Sequence, residues 1–468
     1  MLIYVPIGKR CCPSSDGHLA IWEKQMSLQE FIEKNSSRKN YAHFDDRVEL
    51  KEVIDEIRDP KNIVQHSFMP FIHYTLTFDK YSKKKGRYQK NRELYYSAHY
   101  DRCIYQYYAY LINEKYNEYA QNIGIDKCAI AYRNNQHKNN IHFAKEAFDF
   151  IKSVGECYII VGDFTNFFDN LDHKYLKKQL AAILQVERLP DDFYTIYKNI
   201  THNSWVDLED ILTFYDKEDT LSNRRELNQN KKIMSIQTLR KNASLIKSKD
   251  KNIDYGIPQG SAISAVLSNV YMINFDKCLS EKIKEFGGKY FRYSDDTIFI
   301  IPRVDDMECM NVYNYIMEFC GNIPHLEMQR AKTKIYKYKN TELENKSCLI
   351  GENDNKNILE YLGFAFDGKN ISLRDKTITK YYYRAYKKAD TIVNCEWITG
   401  NNTKVVPHKL YDRYTLKGAK ETITGSKRKY SGNFLSYLKR CRKVFGEEEK
   451  VNNIYNKHYG KIKKRLKK

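Results

Sequence analysis

Two adjacent aspartates interrupt the most strand-like part of this sequence. Residues 289–301 read KYFRYSDDTIFII, which places Asp295 and Asp296 between two runs of apolar, β-prone residues. A carboxylate among buried strands is costly unless it is paired or binds a cation. The simplest structure is a tight hairpin with both carboxylates at its tip. Because successive side chains of a strand point to opposite faces, the two aspartates are expected to have different surroundings.

A third carboxylate lies at the end of an earlier predicted strand. Residues 157–173 read CYIIVGDFTNFFDNLDH, and the apolar β run ends at Asp163. Apolar residues then recur at helical spacing, so the segment is predicted to run strand, turn, helix. Asp169, Asn170 or Asp172 can serve as turn or cap residues. Asp163 has no such local role and is therefore a candidate functional residue.

A loop rich in glycine and proline lies between these two segments. Residues 255–272 read YGIPQGSAISAVLSNVYM. Gly256, Pro258 and Gly260 predict a tight, inflexible turn, and Ser261 or Ser264 can cap the helix that follows. The loop is either an ordinary helix start or a backbone platform for a ligand, and the pattern leaves both open.

The chemistry of the aspartates favours a metal site. If Asp163 lies on a strand beside the hairpin, the carboxylates converge at one sheet edge. Aspartates and phosphate oxygens are typical ligands of hard divalent cations, Mg²⁺ first and Mn²⁺ next. Two such ions about 3.5–4 Å apart can activate a 3′-hydroxyl and stabilise a leaving pyrophosphate. A purely structural role would require arginine partners, and Arg292 is the only evident one nearby.

The charge balance indicates a polyanionic partner. The chain has 79 Lys and Arg against 59 Asp and Glu, a net charge of +20, which favours nucleic acid. A composition bias without a binding role is the alternative. The 39 tyrosines offer faces on which unpaired bases can stack. Basic residues cluster at 83–90, 426–429, 439–443 and 461–468.

Other features of the sequence exclude several classes of protein. The eleven cysteines form no CxxC pair, so we expect reduced thiols and no structural zinc site. No apolar run approaches the roughly 18 residues of a membrane span. The N-terminus lacks the ordered regions of a signal peptide. We therefore expect a cytoplasmic protein without a membrane partner.

The coarse organisation follows from the same patterns. At 468 residues, two or three lobes are expected. Residues 96–150 predict helices, and 157–370 alternate strand-like runs with helical segments. The polar stretch 207–252 is predicted to be a surface insertion, and the chain after 371 to be basic and helical.

Several motifs resemble those of reverse transcriptases, and they occur in the order that is typical of this family. DFTNFFDNLDH, GIPQGSAIS and YSDD look like the palm motifs of this family. LEMQRAKTKI (326–335) resembles the next motif, which ends in Lys-Thr, and YLGFAF (361–366) resembles the primer grip. AYR (131–133) and the earlier Arg102 look like fingers segments. The resemblance covers roughly residues 95–370 and implies an α+β right-hand polymerase fold.

The resemblance also implies a division into lobes. Residues 1–95 would be an N-terminal extension and the start of the fingers. Residues 96–370 would hold the reverse transcriptase fingers and an antiparallel-sheet palm. Residues 371–468 would form a basic helical thumb or C-terminal region.

Roles for individual residues follow from the same resemblance. Asp163 and Asp295 would be the principal ligands of two Mg²⁺ ions, with Mn²⁺ as an alternative, and Asp296 would support them. Phe168 matches the steric gate, where an aromatic ring would clash with a 2′-hydroxyl and select dNTPs. Ser294 stands where alanine is more frequent, and both are small. The nucleotide would be bound by Phe164, Phe168, Arg133, Gln259, Gly260 and Lys332. The template and primer would be bound by Arg102, Pro258, Ser261, Tyr293, Leu362, Gly363 and Phe364.

The segments after the palm suggest a subgroup. Residues 371–386 and 409–445 look similar to those of bacterial abortive-infection and other defence-associated reverse transcriptases. The implied function is RNA-directed DNA synthesis from a dedicated noncoding RNA template, giving a DNA product, in antiphage defence. A retron-type or other general reverse transcriptase is the alternative. An idle nucleic-acid-binding sensor with a polymerase fold is disfavoured by the intact aspartates, and an RNA-dependent RNA polymerase by Phe168. The manner of priming and assembly into a homo-oligomer stay open.

Overall fold

The computed structural model describes most of the chain. It covers residues 27–82, 86–133, 135–250, 252–352, 356–398, 408–415, 432–446, and 458–466 without 459 and 463. The basic cluster at 426–429, and parts of those at 83–90 and 461–468, lie outside the described residues. None of the helices in the described ranges carries the length of apolar sequence that would span a bilayer.

The first part of the described chain consists of short helices, a long hairpin and two longer helices. Leu50, Val53, Ile54 and Ile57 recur at helical spacing, and all four are buried. The base of the hairpin is buried, while most of its outer length is exposed. The elements are α1 (Leu28–Asn35), α2 (Leu50–Ile57), α3 (Pro60–Gln65), β1 (Phe71–Ser82), β2 (Gly86–Tyr96), α4 (His99–Asn122) and α5 (Asn140–Val154). The helices predicted for 96–150 are confirmed.

A five-stranded antiparallel sheet forms the centre of the molecule. Its strands are β3 (Glu156–Asp163), β6 (Lys289–Tyr293), β7 (Asp296–Pro302), β8 (Lys334–Lys339) and β9 (Glu342–Asn345), in the order β6-β7-β3-β8-β9. The central strand β3 is apolar from Cys157 to Val161, and both of its faces are covered. Tyr158 and Ile160 belong to one hydrophobic core, and Cys157 and Ile159 to another on the opposite face.

Helices cover one face of this sheet, and a mixed layer covers the other. The first layer contains α6 (His173–Leu184), α7 (Asp191–Thr201), α11 (Ala262–Tyr271), α12 (Ile273–Glu285) and α13 (Asp306–Gly321), together with α4. The second contains α5 and a small antiparallel sheet of β10 (Leu359–Tyr361), β11 (Phe364–Phe366) and β12 (Ile371–Leu373). The central strand therefore ends, at Asp163, between two packed layers.

The stretch 207–252 is mostly exposed, as predicted for a surface insertion, and it also forms short elements of its own. It follows β4 (Ser204–Asp207) and contains α8 (Leu208–Phe214), α9 (Leu221–Leu227), α10 (Ile236–Lys241) and β5 (Lys247–Ser248). Strand β4 pairs in parallel with β1, and β5 pairs with β4. Leu208, Ile211 and Leu212 are buried together with Phe44 and Ile72 of the N-terminal region. The few apolar residues of this polar stretch thus build a separate small core.

The described part of the chain after residue 374 is helical, as predicted. Its elements are α14 (Asp375–Ile398), α15 (His408–Tyr414) and α16 (Phe434–Phe445). Leu435, Leu438 and Cys441 of α16 are buried in the second core of the central sheet. None of the cysteines in the described ranges forms a disulfide, in line with the predicted reduced thiols.

Candidate active site

The hairpin predicted for residues 289–301 is present. Strands β6 and β7 pair in antiparallel register, with Tyr293 opposite Asp296. The connecting turn therefore consists of Ser294 and Asp295 alone. Ser294 has a φ of 61°, a left-handed conformation that is uncommon outside glycine. Asp295 lies in the turn itself, and Asp296 is the first residue of the returning strand.

The third carboxylate lies directly beside this hairpin. Strand β3 pairs with β7 so that Asp163 is opposite Asp296. The backbone amide of Phe164 donates to the carbonyl oxygen of Asp295 at 3.3 Å. The predicted convergence of Asp163 with the hairpin aspartates at one sheet edge is therefore present in the structure.

The charge of Asp163 acts on both hairpin aspartates. Burial, and then the charge of Asp163, raises the pKa of Asp295. Asp296 lies at a concave edge and reaches solvent. Its pKa is raised from 3.8 to about 6, first by desolvation from the surrounding atoms and then by the charges of Asp295 and Asp163. The ammonium group of Lys332 contacts the carboxylate of Asp163. The cluster is thus a set of hard oxygen donors whose mutual repulsion a divalent cation would relieve, which fits Mg²⁺ or Mn²⁺.

A cavity of about 360 Å³ opens beside these carboxylates. Asp163 and Asp296 line it together with the cations Lys332, Lys334 and Arg374. The combination of carboxylates and cations suits a ligand that carries phosphates and a metal ion.

The glycine-containing loop packs against the base of the β1–β2 hairpin. The backbone amide of Tyr95 donates to the carbonyl of Gln259 at 2.8 Å. Gly260 has a φ of +116°, and a Cβ at this position would lie 2.3 Å from the carbonyl oxygen of Tyr95. Only glycine fits this approach. The close backbone contact accounts for the glycine by packing against β2, and the platform interpretation of the loop stays a prediction.

The serines and the proline of this loop lie inside the protein. The hydroxyl of Ser264 donates to the carbonyl of Pro258 at 2.7 Å, which holds the loop to α11. Ser261 occupies the N-cap position without a side-chain cap, and its buried hydroxyl has no hydrogen-bond partner among the described residues. Pro258 is also buried. Both residues are therefore buried in this structure, and their contacts with template or primer stay a prediction from the resemblance.

The segment after Asp163 brings Phe168 to the same loop. The backbone amide of Ile257 donates to the carbonyl of Phe168 at 2.9 Å. Phe168 is half-buried, and its ring lies against that of Phe167 at 5.5 Å between centroids. Burial raises the pKa of Asp169, while a hydrogen bond from Gln259 opposes this shift. Phe168 and Gln259 therefore flank one part of the site.

A second tight turn lies at the predicted primer grip. Strands β10 and β11 are joined by Leu362 and Gly363, both with positive φ (46° and 93°), as a type I′ hairpin requires. The carbonyl of Leu362 accepts from Asn140 Nδ2 at 3.1 Å, and that of Gly363 from the amide of Arg374 at 3.1 Å. Leu362 is buried and Phe364 fully so. The side chains of this turn therefore pack inward and its backbone lies toward the surface, and its role as a primer grip stays a prediction.

Comparison with known families agrees with this geometry. A model of the family described as reverse transcriptase (RNA-dependent DNA polymerase) matches residues 127–366, just over half of the chain. The chain belongs to the reverse transcriptase family. The matched domain is that of a nucleotidyltransferase, and it contains all three aspartates, the loop of Gly260 and the primer-grip turn. The α+β right-hand polymerase fold predicted from the sequence is confirmed.

Other comparisons give only distant similarity. No curated protein sequence matches the chain. Among solved structures, apo telomerase from Candida tropicalis truncated from its C-terminal domain is 12% identical, with a TM-score of 0.38 over 65% of this chain and 55% of that one. Telomerase from Candida albicans in complex with a TWJ fragment of telomeric RNA is 12% identical, with a TM-score of 0.38 over 94% and 72%. The chain spans about half the length of the first of these.

Arg133 of this reverse transcriptase is packed inside the protein. Its guanidinium is fully buried and forms an ion pair with Asp126. It also donates to Asn117 Oδ1 at 2.8 Å and to the carbonyl of Ala129 at 3.1 Å. These partners hold the guanidinium inside the fold, where Arg133 braces the packing, and its contact with a triphosphate stays a prediction from the resemblance.

Two further residues with predicted contacts are packed inside the protein. Arg102 is buried, and it donates to the carbonyl of Val48 at 2.8 Å and to Gln106 at 3.1 Å. Phe164 is buried in the helical layer, with its ring 5.5 Å from that of Phe275. Their contacts with nucleic acid and nucleotide stay predictions from the resemblance. Tyr293 is half-buried beside Tyr132, and Gln259 and Lys332 remain at the open edge of the site.

The structure adds cations that the motifs of the sequence did not single out. Burial lowers the pKa of Lys80 on β1, and so do the nearby charges of Lys90, Lys376, Lys332 and Arg92. The β1–β2 hairpin and the start of α14 therefore both bring positive charge to the side of the cavity where Lys332 lies. In the sequence, the basic run at 83–90 is the feature that indicates the positive charge of this hairpin.

A separate group of potential metal ligands lies at the start of α6. Asp172, Asp254 and His325 each offer an atom within 4.8 Å of the others. Asp172 accepts the backbone amide of Tyr175 at 2.6 Å as the N-cap of α6. Lys174 pairs with Asp254 at 3.6 Å. Capping and ion pairing account for this group.

Proposed function

We propose that this reverse transcriptase synthesises DNA on an RNA template, with Asp163, Asp295 and Asp296 as the carboxylates of its catalytic centre. The observation that carries the proposal is the register of β3 and β7, which sets Asp163 against Asp296 and beside the turn of Asp295. Two Mg²⁺ ions bound there, or Mn²⁺ in their place, would activate the primer 3′-hydroxyl and stabilise the leaving pyrophosphate.

The surrounding residues would bind the dNTP and the primer. Lys332 beside Asp163, with Lys80 and Arg92 from the β1–β2 hairpin, would attract the triphosphate by charge. Phe168 would exclude a 2′-hydroxyl by its bulk. The backbone of Gly260 would support the nascent base pair. The backbone turn after β10 would hold the primer strand.

A double substitution tests the polymerase function. Asp295→Asn with Asp296→Asn removes both hairpin charges at nearly unchanged volume, so dNTP incorporation on a primed RNA template should fall below detection while the protein stays folded. A matched control is Asp305→Asn with Asp306→Asn, because asparagine caps a helix as well as Asp305 does, and its amide oxygen can still accept from the Tyr158 hydroxyl that contacts Asp306. Full primer extension by the first variant, at the wild-type rate, would contradict the mechanism.

We further propose a dedicated noncoding RNA as template and a role in antiphage defence, in the cytoplasm. Support comes from the resemblance at 371–386 and 409–445, the latter only partly within the described residues, and from the net charge of +20. On this proposal 1–95 begins the fingers, 96–370 completes the fingers and palm, and 371–468 forms the thumb. Assembly as a homo-oligomer is compatible with it.

The bound nucleic acids test this second part. The protein should be purified from its own cells and its RNA and DNA sequenced, with the Asp295→Asn, Asp296→Asn variant in parallel. One enriched RNA with complementary DNA is expected for the wild type, and the same RNA without DNA for the variant. Random cellular RNA in both would favour a general polymerase or a binding protein instead.

A further inference from the structure

The turn that carries Asp295 is held from behind by two side chains. Ser294 adopts its positive φ without being glycine, and such residues persist only where surrounding contacts fix them. Its carbonyl oxygen accepts from Arg292 Nη1 at 3.1 Å. Its hydroxyl accepts from the hydroxyl of Tyr132 at 3.1 Å. The conformation of the catalytic turn thus depends on groups outside the turn.

Arg292 is itself fixed by a fully buried ion pair. Arg292 and Asp276 of α12 have no solvent exposure. Arg292 Nε and Nη2 donate to the two carboxylate oxygens of Asp276 at 2.7 and 2.6 Å. The hydroxyl of Tyr290 donates to the same carboxylate at 2.9 Å. This two-pronged contact fixes the plane of the guanidinium and leaves Nη1 to reach Ser294.

The same arginine connects the hairpin to the fingers. Its Nη1 also donates to Asn269 Oδ1 on α11 at 3.2 Å, and Asn269 Nδ2 donates to the carbonyl of Ala131 at 2.7 Å. The backbone of Arg292 exchanges hydrogen bonds with the carbonyl of Cys128 (2.8 Å) and the amide of Ile130 (3.0 Å). The residue Arg292 therefore connects the hairpin to α11, to α12 and to the segment of residues 128–131.

We propose that the buried pair of Arg292 and Asp276 positions the turn of Asp295 for catalysis. The inference rests on the proposed polymerase function. A buried ion pair is weak evidence for a stabilising role, because well-packed apolar residues of similar volume can often replace it without loss of stability. A directional role does explain it, since only a planar guanidinium can bind both carboxylate oxygens and still donate to the Ser294 carbonyl. Arg292 is thus a positioning residue.

The test replaces the ion pair and the tyrosine hydroxyl bound to it with apolar side chains. The variant Arg292→Met, Asp276→Leu, Tyr290→Phe leaves no unpaired polar atom on these three side chains. We expect it to fold with a lowered melting temperature, because the buried Ser294 carbonyl and Asn269 Oδ1 lose their donor. Its kcat should fall by about 100-fold, as for a misplacement of about 1 Å, while the KM values for dNTP and primer change little. Amide exchange across residues 290–300 should become faster.

A matched control removes a buried polar pair elsewhere. The hydroxyl of Tyr108 on α4 donates to the buried Asp192 of α7 at 2.7 Å. Tyr108→Phe with Asp192→Leu should leave kcat and the exchange of 290–300 unchanged. Arg292→Lys keeps the charge without the planar geometry, and it should lower kcat at nearly unchanged KM even if the triple variant does not fold.

The outcomes separate this inference from the polymerase proposal. Wild-type kcat and wild-type exchange of 290–300 in the triple variant or in Arg292→Lys would overturn the positioning role. A wild-type protein that incorporates no dNTP would overturn the polymerase proposal. In that case, faster exchange of 290–300 in the variants but not in the control would still support control of the turn by Arg292.

Discussion

Replacing Gly260 with alanine should separate the geometry of the loop from the stability of the fold. Gly260 has a φ of +116°, and its missing Cβ would lie 2.3 Å from the carbonyl oxygen of Tyr95. Adopting a left-handed conformation costs an L-residue about 1–2 kcal/mol. This part of the effect should appear as a lower free energy of unfolding.

The close contact adds a displacement to this cost. Real Cβ atoms essentially never come within 3.0 Å of such a neighbour, so the loop must move away from β2 by roughly 0.7 Å. A misplacement of about 1 Å can cost about 10²-fold in rate. We therefore expect kcat/KM for dNTP incorporation to fall by about 10- to 100-fold, or about 1.4–2.7 kcal/mol in transition-state stabilisation.

Gly351 provides the matched control for Gly260→Ala. Its φ is +77°, and a Cβ there would meet nothing within 4 Å. Gly351→Ala should lose a similar free energy of unfolding, measured by chemical denaturation, and keep its primer-extension rate. If Gly260→Ala retained wild-type kcat/KM, or if both variants lost activity equally, the platform role of the loop would be refuted.

Other substitutions probe the remaining parts of the site. Phe168→Ala should raise ribonucleotide incorporation relative to deoxynucleotide by on the order of tenfold; an unchanged ratio of kcat/KM values would argue against the steric gate. Arg133→Met should lower the free energy of unfolding by about 3 kcal/mol, because it leaves the partly buried carboxylate of Asp126 without its partner. Lys332→Ala should raise KM for dNTP without lowering the melting temperature. A loss of stability in Lys332→Ala, or a raised KM without loss of stability in Arg133→Met, would contradict these assignments. The metal-free protein should lose stability as pH rises from about 4 to about 6, because the folded state holds the Asp296 proton up to its raised pKa of about 6 and the unfolded state releases it near 3.8. Asp296→Asn should remove this part of the pH dependence of stability, as measured by thermal unfolding in the presence of a chelator. If the difference in melting temperature between variant and wild type did not change with pH, the assignment to Asp296 would be refuted.

The strands of the catalytic sheet could be predicted because their signals are local. Apolar runs that end at Asp163 and flank the hairpin aspartates indicate buried strands by themselves. The meeting of Asp163 with Asp296, 133 positions later in the sequence, is not a local property. It followed from the order of the motifs and their resemblance to a family, and the register of β3 and β7 bears it out.

The direction of individual side chains could not be predicted in the same way. Arg133 reads as a free cation in the sequence, but its burial is decided by Asp126 and Asn117, whose positions depend on how the fingers pack. Phe164 follows Asp163 directly, and only the path of the chain after β3 decides that its ring enters the core. Arg292 is the one evident arginine near the hairpin aspartates in the sequence, and it pairs with Asp276.

The parallel pairing of β4 with β1 has a consequence for how the chain can be divided. Strand β1 precedes the family-matched region, and β4 lies within it. A shorter piece that starts at residue 127 would leave β4 with an unpaired edge, which invites pairing with other chains. It would also expose Leu208, Ile211 and Leu212, whose cover comes from Phe44 and Ile72. Expression of the catalytic region therefore needs the N-terminal strands as an integral part of its fold.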